Sequence, residues 1–216
     1  LEHRWSSANI CSRDNLPARG DEGVSDSYRT FLGLVSHEYF HLWNVKRMKP
    51  AAFTPYDLSQ ETHTSLLWVF EGVTSYYDDL ALVRSGMIEP QSYLELLGQT
   101  ITRVLRGGGR RRQSIAESSF DAWTKFYKQD ANAANAIVSY YAKGSLVALV
   151  IDLQLRLETA GEVSLDDVME AAWQRWGETG EGMPEDGFEE LCVEMAGLDI
   201  RDFLNAAVHG TGELPL

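Results

Sequence analysis

Five consecutive residues, His37-Glu38-Tyr39-Phe40-His41, put two imidazoles and a carboxylate side by side. On an α-helix, positions four apart share a face, so both imidazoles can reach one metal ion. Glu38 sits about 100° around the helix from His37 and can hold a water against that ion and take its proton. The pattern HExxH therefore points to metal-assisted hydrolysis. Zinc in such a site needs a third protein donor and an open position for water. A third histidine in HExxHxxGxxH is excluded, because Asn44 and Arg47 stand at the glycine and final histidine positions. A glutamate on a following helix is the other route. Glu71 lies 71 − 41 = 30 positions beyond His41, enough for a turn-back loop and an antiparallel helix. Its neighbours Trp68, Val69 and Phe70 are apolar. A buried lone carboxylate is costly unless it is paired or metal-bound, which favours Glu71 over the more polar surroundings of Glu61.

The elements that must position these groups read as helices. Segment 26–44 carries Phe31, Leu34, Val35, Tyr39 and Leu42 at helical spacing. Segment 61–85 reads as a second long helix ending at Gly86, and 90–105 as a third. Segment 138–159 is a further strong helix, closed by Gly161. Ser164 and Asp167 form a capping-box pattern that opens a helix to about Trp176. Two short helices, near 187–196 and 199–207, finish the chain, the second capped by Asp199. The glycine-rich run Arg106–Arg112 reads as a flexible, solvated loop. The class is mainly α, a helical bundle, with minor β admitted in the first 25 residues or in 106–135.

Composition narrows the partners. The 216 residues carry a formal net charge of −13, which repels nucleic-acid backbones. No apolar stretch approaches the ~20 residues of a membrane span. A soluble protein of the cytoplasm or periplasm is expected. Cys11 and Cys192 form no CxxC pair, so neither a cysteine zinc site nor a disulfide follows from spacing. His3, His63 and His209 lack metal-ligand spacing.

Three blocks, HEYFHLWNVKRMKP, LWVFEGVTSYYDDL and SYYAKGSLVALVIDLQLR, resemble the PDZ-bearing glycyl aminopeptidase family of metallopeptidases. These have a thermolysin-like catalytic domain related to that of aminopeptidase N. The resemblance covers roughly residues 1–175. It implies a thermolysin-like zincin fold, with Zn2+ held by His37, His41 and Glu71 and with Glu38 as general base and acid. Tyr141-Ala142-Lys143-Gly144 is similar to the family's YxKG block, which gives the phenol of Tyr141 the role of stabilising the oxyanion. Tyr140 is adjacent, and only one of the two should face the metal. Leu1-Glu2-His3 resembles the end of a segment whose glutamate binds the substrate's α-amine, so Glu2 is the expected amine anchor. Thermolysin-type enzymes often place an aspartate four residues after the third ligand. Here Ser75 stands there, with Asp78 and Asp79 further on, and the histidines' partner is unassigned.

The resulting expectation is a zinc aminopeptidase acting on peptides with a free, small N-terminal residue such as glycine. Residues 1–216 would be its catalytic domain, with a β-domain before it and a PDZ domain after it. The isolated piece would bind zinc with weak or no activity. The alternatives are a peptide-binding or scaffolding module with a vestigial metal site, and a zinc endopeptidase.

Overall fold

The computed structural model describes residues 5–216. Nine helices are found there: α1 (Asp26–Phe40), α2 (Val73–Arg84, entered through a wide π turn at Trp68–Gly72), α3 (Pro90–Arg106), α4 (Ile115–Phe120), α5 (Ala133–Ala136), α6 (Ala142–Glu158), α7 (Leu165–Ala172), α8 (Gly187–Ala196) and α9 (Arg201–Val208). The architecture is a mainly-α bundle, as expected. No strand is found among the described residues; the β structure there is confined to isolated bridges, such as Asn44 with Met48 and Pro50 with Met183.

Local chemistry accounts for the element boundaries. Ser25 caps α1 by accepting from the Tyr28 N–H at 3.2 Å. Ser164 and Asp167 form the anticipated capping box of α7, and Asp199 accepts from the Arg201 N–H at 3.0 Å. The second helix starts later than its sequence pattern suggests. Thr64 and Ser65 bond instead to the carboxylate of Glu185, and the Ser65 N–H donates to it at 2.8 Å. The fourth long helix also starts late, at Ala142. Ahead of it the Val138 N–H donates to Gln113 and its carbonyl accepts from Ser118, which holds that segment outside the helical ladder.

The core is one large cluster from the π turn, α2, α6, α7, α8 and α9. Trp68, Val69, Phe70 and Val73 are buried at its centre. Tyr76 donates to buried Asp152 of α6 at 2.9 Å, and the same carboxylate receives the Leu165 N–H at 2.7 Å. Tyr77 and Arg84 both donate to Asp166. These bonds lock α2 against α6 and α7.

The Arg106–Arg112 run departs from its expectation. It forms a short 3-10 turn, Gly108–Arg111, instead of a flexible loop. A Cβ on Gly109 would lie 1.8 Å from the Ile137 carbonyl oxygen, so only glycine permits this packing. Arg110 pairs with Glu213 at 2.5 Å. Cys11 is exposed, Cys192 is buried, and neither forms a disulfide. No helix of the described residues is long and apolar enough to cross a membrane.

Candidate metal centre

α1 and α2 pack against each other, and their contact carries the site. His37 lies in the last turn of α1, and His41 is its C-cap. Glu71 sits inside the π turn that leads into α2. Such turns widen the helix by one residue and recur where a side chain has to be re-aimed.

The two histidines present the same nitrogen by different means. His37 Nδ1 lies 3.0 Å from Asp78 Oδ2, and His41 Nδ1 lies 2.8 Å from the Asn44 carbonyl oxygen. Each acceptor fixes its ring with the proton on Nδ1 and turns the Nε2 lone pair inward. Asn44 is itself held, because its amide donates to the Val69 carbonyl and the Thr74 hydroxyl across the π turn.

The inward nitrogens meet at Glu71. Its Oε2 is 3.3 Å from His37 Nε2 and 3.3 Å from His41 Nε2. The rings are 4.7 Å apart and nearly perpendicular. Ligand atoms about 2.0–2.1 Å from a tetrahedral zinc lie roughly 3.3–3.4 Å from each other. These two distances match two edges of a zinc tetrahedron, and all three donor atoms lie within 4.8 Å of one another. Among the described residues, these three form the grouping of histidine and carboxylate donors that can share one ion. Glu38 Oε2 is buried without a hydrogen-bond partner. An unpartnered buried carboxylate oxygen is costly unless another species engages it, and the fit of the donor set to a divalent cation supplies the reason.

Electrostatics reinforce the set. Burial disfavours the His37 imidazolium, but hydrogen bonds and charge from Asp78 and Glu71 outweigh it and raise its pKa to about 10. Burial works against the Glu71 carboxylate too, yet its two histidine contacts hold its pKa below the ordinary value. A cation at Nε2 replaces the proton that these carboxylates favour.

Tyr141 stands at the N-terminus of α6, its ring 6.3 Å from that of His37. Burial, followed by the charge of Glu71, pushes its phenol far up, so it stays protonated at neutral pH. Tyr140 is fully buried. Both reach a third phenol: Tyr140 donates to Tyr127 at 3.1 Å, and the Tyr141 and Tyr127 hydroxyls are 3.3 Å apart.

Two of these residues could not be assigned from sequence, namely Asp78 as the partner of His37 and Tyr127 as the bridge between the tyrosines. Asp78 lies seven positions after Glu71, two helical turns, and so returns close to the same face of α2. That spacing was the available signal. Tyr127 carried none, because it depends on a loop between α4 and α5. The predicted amine anchor Glu2, and His3, lie outside the described residues. His63 contacts the Phe120 carbonyl and His209 contacts Glu189, both remote from the centre in bonding.

The fold is a helical bundle that brings an HExxH helix and a glutamate from the turn before the next helix to one point, where the three side chains could hold a metal ion. More narrowly, residues 30–147, over half the chain, match the M61 glycyl aminopeptidase family, and the chain belongs to it. It is also similar to the crystal structure of an aminopeptidase N family protein from Idiomarina loihiensis, with 49% identity and a TM-score of 0.97. That similarity covers 100% of this chain and 37% of the other, so the chain spans little over a third of that protein's length. No curated protein sequence matches it.

Proposed function

We propose that this chain is the catalytic part of a zinc aminopeptidase that removes small N-terminal residues, glycine foremost. The observation that carries the reading is the convergence of His37, His41 and Glu71 at 3.3 Å spacing beside the unpartnered Glu38 carboxylate. His37, His41 and Glu71 would hold the zinc. Bound there, zinc supplies Lewis-acid polarisation of the scissile carbonyl and acidifies a water.

The chain's own groups do the rest. Glu38 takes the proton of the attacking water and hands it to the leaving amine. Tyr141 donates from its neutral hydroxyl to the carbonyl oxygen as negative charge develops there. Asp78 and the Asn44 carbonyl keep both imidazoles in the tautomer that presents Nε2. Glu2 holds the substrate's α-ammonium and so confines cleavage to the N-terminal residue. The glycine preference is supported by the family description, and the zinc by the donor set. The short span relative to the Idiomarina protein fits a longer polypeptide, with a β-domain before this part and a PDZ domain after it.

The test is hydrolysis of glycine p-nitroanilide by the zinc-supplied protein at its natural length and by its Glu38→Gln variant. Loss of about 10³-fold or more in kcat with retained zinc is expected. Equal turnover by the two proteins would refute the assignment.

A further inference from the structure

A cleft of about 550 Å³ opens directly from the metal centre, with Glu71 and Tyr141 on its inner wall. Its other lining includes Phe53, Tyr56, Leu58, Leu67, Trp123 and Tyr127. Four of these are unusually exposed for apolar or aromatic side chains: Leu58 93%, Tyr127 58%, Tyr56 52% and Trp123 46%. Exposed apolar residues scattered singly need no explanation, but a group around one concave mouth marks a binding surface. The volume falls within the range of small-ligand pockets, and apolar walls with a few polar groups are their usual composition. The charged residues on the wall are Glu71, turned to the metal point, and Asp57, which is exposed. Trp123 is held in place, because its indole N–H donates to the Thr62 carbonyl at 3.1 Å and its ring stands 5.9 Å from that of Tyr127.

A glycyl residue before the scissile bond has no side chain and cannot fill this space. The residue after that bond can. We propose that the aromatic cleft receives the side chain on the carboxyl side of the scissile bond, so the site selects glycyl peptides whose second residue is large and apolar. This rests on the aminopeptidase reading and sharpens its substrate class. In this reading the binding energy for a glycyl substrate is drawn from the residue after the bond. Removing a leucyl or phenyl side chain from water into such walls is worth about 10- to 100-fold in affinity.

The test compares Gly-Phe-amide, Gly-Leu-amide, Gly-Gly-amide and Phe-Gly-amide with the zinc-supplied protein at its natural length. Values of kcat/KM for Gly-Phe-amide and Gly-Leu-amide at least 10-fold above Gly-Gly-amide are expected. Trp123→Ala and Leu58→Ser should lose proportionally more on Gly-Phe-amide than on Gly-Gly-amide. Leu58 is almost wholly exposed, so its variant folds even if that of Trp123 does not. Parity between the glycyl amides, or a preference for Phe-Gly-amide, would overturn the proposal. Calorimetric binding of the same amides to the Glu38→Gln variant separates the two readings. If nothing is hydrolysed but Gly-Phe-amide binds at least 10-fold tighter than Gly-Gly-amide, the cleft assignment holds and the aminopeptidase activity fails. Equal binding there overturns the cleft assignment.

Discussion

Asp78 decides which nitrogen His37 offers, and it does so from a half-buried position on α2 at 3.0 Å. His41 is oriented by a backbone carbonyl instead, which no side-chain substitution can remove. The two ligands should therefore respond differently to mutation. Asp78→Ala frees the His37 ring and should weaken zinc binding by about 10- to 100-fold, measured by competition with a chromophoric chelator. An unchanged zinc affinity would deny Asp78 this part. The adjacent tyrosines make a second contrast. Tyr141→Phe removes a donor aimed at developing charge and should lower kcat about 10²-fold with little change in KM. Tyr140→Phe removes the hydroxyl that bonds Tyr127 and its neighbour Tyr141, and should cost about 1 kcal/mol of stability, read from denaturant unfolding, with kcat little altered. If Tyr140→Phe gives the larger kcat loss, the two roles are reversed.

The metal-binding turn and the tyrosine-bearing helix are held in register by two glycines. A Cβ on Gly72 would lie 2.7 Å from Gly144 Cα and 2.7 Å from the Tyr140 carbonyl oxygen. Neither backbone can retreat without moving Glu71, one residue before Gly72, or Tyr141, three before Gly144. Gly72→Ala should destabilise the protein by about 1–3 kcal/mol and lower kcat as well. Gly98, on α3, has nothing within 4 Å of its Cβ position, and Gly98→Ala should instead stabilise by up to about 1 kcal/mol. Thermal or denaturant midpoints of the two variants check both signs. This scale also shows where sequence reading stopped. The helices of α1, α3 and α8 were legible from apolar spacing and punctuation, because their signals are local. His37, Glu38 and His41 were legible for the same reason, and Glu71 through its apolar neighbours. The π turn was not, because it arises where Asn44 draws on the Val69 carbonyl across the α1–α2 contact. Nor were the late starts of α2 and α6, which are set by Glu185 and Gln113, distant in sequence.

At the scale of the whole molecule, the excess of 32 acidic over 19 basic residues makes the placement of carboxylates a stability question. Most lie in water or beside a cation, as Asp166 does with Arg84 and Tyr77. Asp79 does not. Burial, and then the charge of neighbouring Asp78, raise its pKa from 3.8 to about 7, with Arg29 opposing. Between those values the folded chain keeps a proton that the unfolded chain has released. Folding stability contributed by this group is therefore greatest below pH 4 and is lost as pH rises towards 7. At about 1.4 kcal/mol per pH unit, the full difference is roughly 4 kcal/mol. In the metal-free chain His37, raised from 6.5 to about 10, also loses its contribution as pH rises, but above pH 6.5, so the two windows barely overlap. Asp79→Asn mimics the protonated acid. It should leave the unfolding midpoint nearly unchanged at pH 3.5, raise it at pH 7.5, and flatten the profile between those values while the change above pH 7.5 persists. Urea titrations at half-unit pH steps read this directly. A variant whose profile parallels the parent's from pH 4 to 7 would mean that Asp79 is ionised in the folded chain throughout, with Arg29 as its effective partner.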